Sequence, residues 1–132
     1  MKLEILDSKD VKKCLKENKI KTPEFYRNKK VFGYKNENGK VIAMLSFLKN
    51  KQLIYTKKIC DIFVQNNDID LGAELLNDVL NQKNNNIIYY TDCLEKEVPI
   101  FKKCGFEFYT HKNNLKLYNK LWRGIYAKKG IN

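Results

Sequence analysis

The run Pro99-Ile100-Phe101-Lys102-Lys103-Cys104-Gly105-Phe106-Glu107-Phe108 admits few local structures. It reads as the last turns of a helix, with Ile100, Phe101 and Cys104 at helical spacing. Gly105 is the stop, because glycine takes the left-handed conformation that closes a last turn. Phe106 and Phe108 flank Glu107 in the alternation of a strand. The run has an upstream partner. Ile59-Cys60-Asp61-Ile62-Phe63-Val64 reads as a buried strand, a polar loop follows, and Leu71-Gly72-Ala73-Glu74-Leu75-Leu76 opens a helix. The order is strand, loop, helix, strand, helix, Gly-Phe strand, which calls for an α/β fold.

The remaining elements follow from pattern and turn chemistry. Residues 2–6 read as a short strand, and Ser8 can cap a helix to about residue 19. Pro23 suits the first position of a second, short helix. Residues 30–34 and 40–48 are strands around Asn36-Glu37-Asn38-Gly39, a hairpin turn in which Asn and Gly tolerate positive φ. Lys49-Asn50-Lys51 makes another turn before the apolar stretch 53–64. Helical spacing covers 69–80, Asn84-Asn85-Asn86 is a loop, and 87–90 is an apolar strand covered on both faces. A helix over 95–104 precedes a closing hairpin of 106–110 and 115–122, with 124–132 as a loose tail. The chain, residues 1–132, is expected to be a single domain.

Composition excludes several classes. With 43% hydrophobic residues the chain can bury a core. No apolar run approaches the roughly 18 to 20 residues of a membrane span, and Met1-Lys2-Leu3-Glu4-Ile5 holds no apolar signal core. Cys14, Cys60, Cys93 and Cys104 form no Cys-x-x-Cys pair and have no companion histidines, which argues against zinc and against a disulfide framework. Reduced thiols in a cytoplasm are expected.

The net charge of +11 is made of 24 Lys and only 2 Arg. DNA readers lean on arginine for bidentate base contacts, and AT-rich codons give Lys, Asn and Ile without selection for binding. The charge is also uneven. Residues 1–66 are net +9 and residues 67–132 net +2, while 67–97 carry seven acids against Lys83 and Lys96.

The order of elements, with Leu71-Gly72-Ala73-Glu74-Leu75-Leu76 and the Gly105-Phe106 pair, resembles the GNAT-type N-acetyltransferases over residues 1–122. The resemblance implies a mixed, mostly antiparallel sheet with helices on both faces, splayed between its fourth and fifth strands. It implies acetyl-CoA as the acyl donor, with pantetheine entering the splay. In that family the loop after the fourth strand carries Arg/Gln-x-x-Gly-x-Gly/Ala and holds the coenzyme A pyrophosphate on backbone N–H groups, as helix ends do. Here Asn67 falls on the Arg/Gln, Asp70 on the central glycine and Gly72, followed by Ala73, on the last small residue. Asp68 and Asp70 put two carboxylates where an anion would sit. The alternative for this loop is a plain capped helix, with Asp68 or Asp70 capping and Gly72 allowing tight packing.

The family commonly has a tyrosine four residues before the Gly-Phe glycine, which protonates the leaving thiolate. That position is Phe101, which donates no proton. Tyr55, Tyr89, Tyr90 and Tyr109 are the tyrosines available as substitutes, and otherwise pack. Asp61, the one acid inside the apolar stretch 59–64, is the candidate base for the acceptor amine. Its alternative is a strand residue paired with Lys57. Backbone N–H groups around Phe63 and Val64 would polarise the thioester carbonyl. Lys102 and Lys103 would meet coenzyme phosphates or else form a solvated helix face. A Cys-His dyad through His111 is disfavoured.

The expected function is transfer of an acetyl group from acetyl-CoA to an amine of unknown identity, small molecule or protein. The alternative is a catalytically degenerate module of the same fold that binds a protein, a nucleic acid or another ligand, in a regulatory or phage-type counter-defence role. A second copy of the chain is an expected partner. Nucleic acid is less favoured, and no membrane partner is expected.

Overall fold

The computed structural model describes residues 1–21, 25, 30–47, 56–82, 88–92, 95–110 and 125–129. The expected helix start at Pro23, the turn at Lys49-Asn50-Lys51, the loop Asn84-Asn85-Asn86 and the strand over 115–122 lie outside these residues. So do Tyr55, Cys93 and His111, and the side chains of Lys57, Cys60, Tyr90 and Tyr109.

The first half is a meander. β1 (Glu4–Ile5), β2 (Val31–Lys35), β3 (Val41–Phe47) and β4 (Thr56–Val64) pair antiparallel in sequence order. The β2–β3 turn forms where expected. The Asn36 side-chain oxygen accepts from the N–H groups of Asn38 and Lys40 at 2.9 and 3.0 Å, and Gly39 takes φ +78°. Between β1 and β2 lies α1 (Ser8–Glu17). Its cap is Asp7 rather than Ser8. The Asp7 backbone is extended, and its carboxylate accepts from Asp10 N–H at 2.9 Å, whereas Ser8 is already helical.

The second half adds the crossover. α2 (Ile69–Asn81) follows β4 and returns the chain to β5 (Ile88–Asp92), which pairs parallel with β4. A 3₁₀ turn, Glu95–Glu97, leads into α3 (Val98–Lys103), and β6 (Glu107–Thr110) follows Gly105. The helix expected over 95–104 therefore begins with one tight turn. β7 is Ile125–Lys129, within the segment expected to be a loose tail. It pairs antiparallel with β5 on one side and β6 on the other. The sheet order is β1-β2-β3-β4-β5-β7-β6. Residues 125–129 are held because two strands supply ladder partners for their backbone groups.

Helices cover both faces, as expected. α1 lays Val11, Cys14 and Leu15 on Leu6, Val31, Val41 and Met44. On the opposite face α2 and α3 lay Leu75, Leu76, Val79, Ile100 and Phe101 on Phe32, Leu45, Ile59 and Val64. Tyr34, fully buried, donates its hydroxyl to Asp78 and ties α2 to β2. No helix among the described residues is long and apolar enough to cross a membrane.

Candidate active site

The sheet forks between β4 and β5. Their ladder runs from Thr56↔Ile88 to Ile59↔Thr91 and ends there, while β4 continues to Val64 on the β3 side alone. A register shift opposite Ser46 and Phe47 makes Cys60 an extra residue, a β-bulge that follows Ile59 directly. Bulges bend a strand and increase its twist. Backbone groups alternate along a strand, so part of 60–64 faces away from β3, beyond the last pair with β5. Thr91 fills the corner: its hydroxyl donates to the Ile59 carbonyl at 2.9 Å.

The bulge also sets which way the site side chains point. Ile62 and Val64 pack under α2, whereas Phe63 packs on the α1 face beside Met44, its ladder partner. Asp61 pairs with Ser46 and is half-buried on that α1 face, two residues past the last β4–β5 pair. The structure thus brings Asp61, Phe63 and Val64 to the fork.

The loop after β4 is a 3₁₀ turn, Gln65–Asn67. Asn66 and Asn67 both take left-handed φ, +58° and +53°, which Asn tolerates better than most side chains. Asp68 caps α2: its carboxylate accepts from Leu71 N–H at 3.1 Å. The N–H groups of Ile69 and Asp70 in the same turn have no intrahelical partner. Gly72 and Ala73 are turned inward. Gly72 donates its N–H to the Asp68 carbonyl at 3.0 Å, and a Cβ there would stand 2.7 Å from Ile100 Cδ1 and 3.0 Å from Val64 Cγ2. Ala73 is buried, and its carbonyl accepts from the Cys104 thiol at 3.4 Å. Among the expected phosphate-loop residues, Gly72 therefore serves close packing of α2, and Asn67 shapes the exposed turn before it.

The Phe101-to-Phe106 motif is a helix-ending device. Phe106 N–H bonds to the Phe101 carbonyl and Gly105 N–H to the Lys102 carbonyl, both at 3.1 Å, with Gly105 at φ +82°. This is the Schellman pattern, and its apolar contact is the Phe101–Phe106 ring pair, centroids 5.1 Å apart at 77°. Phe101 is a core residue. Lys102 and Lys103 are both exposed, and Lys103 reaches the first turn of α2 to pair with Asp70. Lys103, not Lys102, is the cation brought to the loop.

Among the described residues, one buried side-chain polar group lacks a partner. The Tyr89 hydroxyl makes no hydrogen bond, although its ring is packed 5.9 Å from that of Phe47. Burial pushes its pKa up, so it holds its proton at neutral pH. Sequence reasoning missed Thr91. A threonine among Ile, Tyr and Asp in a strand carries no signal beyond β-propensity.

This architecture is that of the GNAT-family N-acetyltransferases. The chain superposes on a GNAT-family acetyltransferase from Staphylococcus aureus Mu50 with a TM-score of 0.71, at 11% identity over 99% of each chain. A second N-acetyltransferase from that organism gives 0.66, at 17% identity over 98% of this chain and 96% of the other. A spermidine N-acetyltransferase from Vibrio cholerae gives 0.63, at 12% identity over 97% and 92%. No protein-family model and no curated protein sequence matches the chain.

Proposed function

We propose that this protein is an N-acyltransferase that takes an acetyl group from acetyl-CoA and passes it to an amine. The observation that carries the reading is the fork beyond Ile59 and Thr91, where the outward backbone groups of 60–64 lie past the last β4–β5 ladder pair. An extended pantetheine arm has amides that match a strand edge, and acetyl-CoA supplies the acyl group as an activated thioester. Residues around Phe63 and Val64 bind and orient that end, with backbone N–H groups as donors to a carbonyl oxygen. The first turn of α2 would take the pyrophosphate on the free N–H groups of Ile69 and Asp70, with Lys103 as the adjacent cation. Asp61 accepts the proton of the attacking amine, directly or through water. Phe101 gives no proton, so the departing thiolate takes one from water or from another side chain. The acetyltransferase names of the structural neighbours support the same reading.

The test is a calorimetric titration of acetyl-CoA and free CoA at low and moderate salt, followed by an amine screen scored by release of free thiol. Micromolar binding that survives moderate salt is the expected result, and absence of binding at millimolar ligand overturns the proposal. Phe101 in place of a proton donor favours a second reading, a module that binds the coenzyme or another ligand without turnover. Binding without thiol release across the screen would select it.

A further inference from the structure

Three features meet at Ile59. The parallel ladder to β5 ends there, the bulge at Cys60 begins directly after it, and its carbonyl accepts a hydrogen bond from the Thr91 side chain. The Thr91 hydroxyl adds a side-chain bond at the last pair of the ladder, after which no further β4–β5 pair follows. Both residues are sealed from water, Thr91 at 2% and Ile59 at 1% exposure, so the bond has no solvent competitor. Tyr89, two residues earlier on β5, is packed against Phe47, the ladder partner of Ile59, and holds this end of the strand down.

We infer that Thr91 is a positioning residue that fixes where the sheet opens and so sets the floor of the slot in which a pantetheine arm lies. The inference rests on the acyl-CoA reading above. With the hydroxyl in place, the ladder stops at one defined residue and the backbone groups of 60–64 are presented at a fixed depth. Without it, the last pair of the ladder loses its side-chain tie, and the strands are free to shift register or to close together. Either response displaces the slot, whereas the α2 first turn, capped by its own Asp68 and packed through Gly72 on Ile100 and Val64, keeps its local geometry.

The experiment separates the two ends of the coenzyme. CoA and adenosine 3′,5′-bisphosphate, which lacks the pantetheine arm, are titrated into the wild type, Thr91→Val and Thr91→Ser. Thr91→Val keeps the shape and removes the donor; Thr91→Ser keeps the donor. The expected result is a loss of about tenfold in CoA affinity for Thr91→Val, unchanged bisphosphate affinity, and recovery to within about twofold in Thr91→Ser. Thr91→Ala carries the same test should the valine variant not fold. Equal CoA affinity in wild type and Thr91→Val overturns the inference. So does an equal loss for both ligands, which would mean a general structural role. A wild type that binds neither ligand overturns the acyl-CoA proposal and this assignment with it, whereas the first two outcomes leave that proposal standing.

Discussion

The carboxylate of Asp70, in the first turn of α2, is paired with the amine of Lys103, at the end of α3. In the proposed complex, the pair sets a negative group and its counter-ion at the α2 N-terminus, the turn assigned to the pyrophosphate. Both side chains are well exposed, at 83% and 54%, so the pair adds little to stability. Its consequence lies in ligand binding. Asp70→Asn removes the repulsion and releases Lys103, and CoA should bind roughly three- to tenfold tighter in low salt, with the gain shrinking as salt is raised. Lys103→Ala should weaken binding by a similar factor. Unchanged affinity in both variants, measured by calorimetry, would move the phosphate site away from α2.

Tyr89→Phe should stabilise the fold. Its buried hydroxyl has no partner, and an unsatisfied buried polar group costs about 1 to 3 kcal/mol. A gain of about 1 kcal/mol in urea unfolding is expected. The same variant tests chemistry, because Tyr89 is a protonated hydroxyl in a chain whose Phe101 is not an acid. A stabilised protein with lost turnover would make Tyr89 the proton donor, and a stabilised protein with full turnover would make the hydroxyl a structural misfit.

Two glycines should respond differently to alanine. At Gly33 a new Cβ would lie 2.6 Å from the Ala43 carbonyl oxygen and 2.6 Å from Leu6 Cδ1. The carbonyl belongs to the neighbouring strand and cannot yield, so Gly33→Ala should destabilise by about 2 kcal/mol or more. At Gly72 a Cβ would press on the tip of Ile100 at 2.7 Å and on Val64 Cγ2 at 3.0 Å, and the strain of moving these buried side chains offsets the helix propensity of up to about 1 kcal/mol that alanine gains. Gly72→Ala should fall within about 1 kcal/mol of wild type. Thermal unfolding of the two variants side by side checks the contrast.

Stability should decline in alkali. Burial under α1 pushes the Cys14 thiol from its ordinary value of 9.0 to about 11. The folded state therefore binds this proton more tightly than the unfolded state. The contribution is complete below pH 9, where both states hold the proton, and is lost as the pH rises toward 11. Tyr34 is raised in the same sense, by burial and then by Asp78, and extends the loss to higher pH. Tm followed from pH 7 upward should fall faster for wild type than for Cys14→Ala, and parallel slopes would remove Cys14 as the cause.

Local signals carried most of the architecture. Gly105 as a helix stop, Asn36 to Gly39 as a turn and the helical spacing from Ile69 are decided by neighbours within a few residues, and each formed as expected. The choice of Asp7 over Ser8 as cap was not decidable, since both accept an N–H and only the chain's entry angle separates them. β7 was illegible for a deeper reason. Residues 125–129 pair with both β5 and β6, and that choice is made by the edges these strands offer rather than by any property of Ile125 to Lys129. At the site, Asp61 was legible as a lone acid among apolar residues. Lys103 was not separable from Lys102, because only the turn of a folded helix aims one of them at Asp70.

The insertion of β7 between β5 and β6 dictates an order of events during synthesis. A ribosome delivers residues 107–110 before 125–129, so among the described residues β6 emerges before β7, the strand it pairs with. β5 meanwhile shows an open edge, the kind of surface on which nascent chains stick to one another. The first four strands, paired with their neighbours in sequence, can assemble early. The nascent domain is therefore a finished meander carrying an unfinished half. That half should close late, when residues 125–129 reach the edges of β5 and β6.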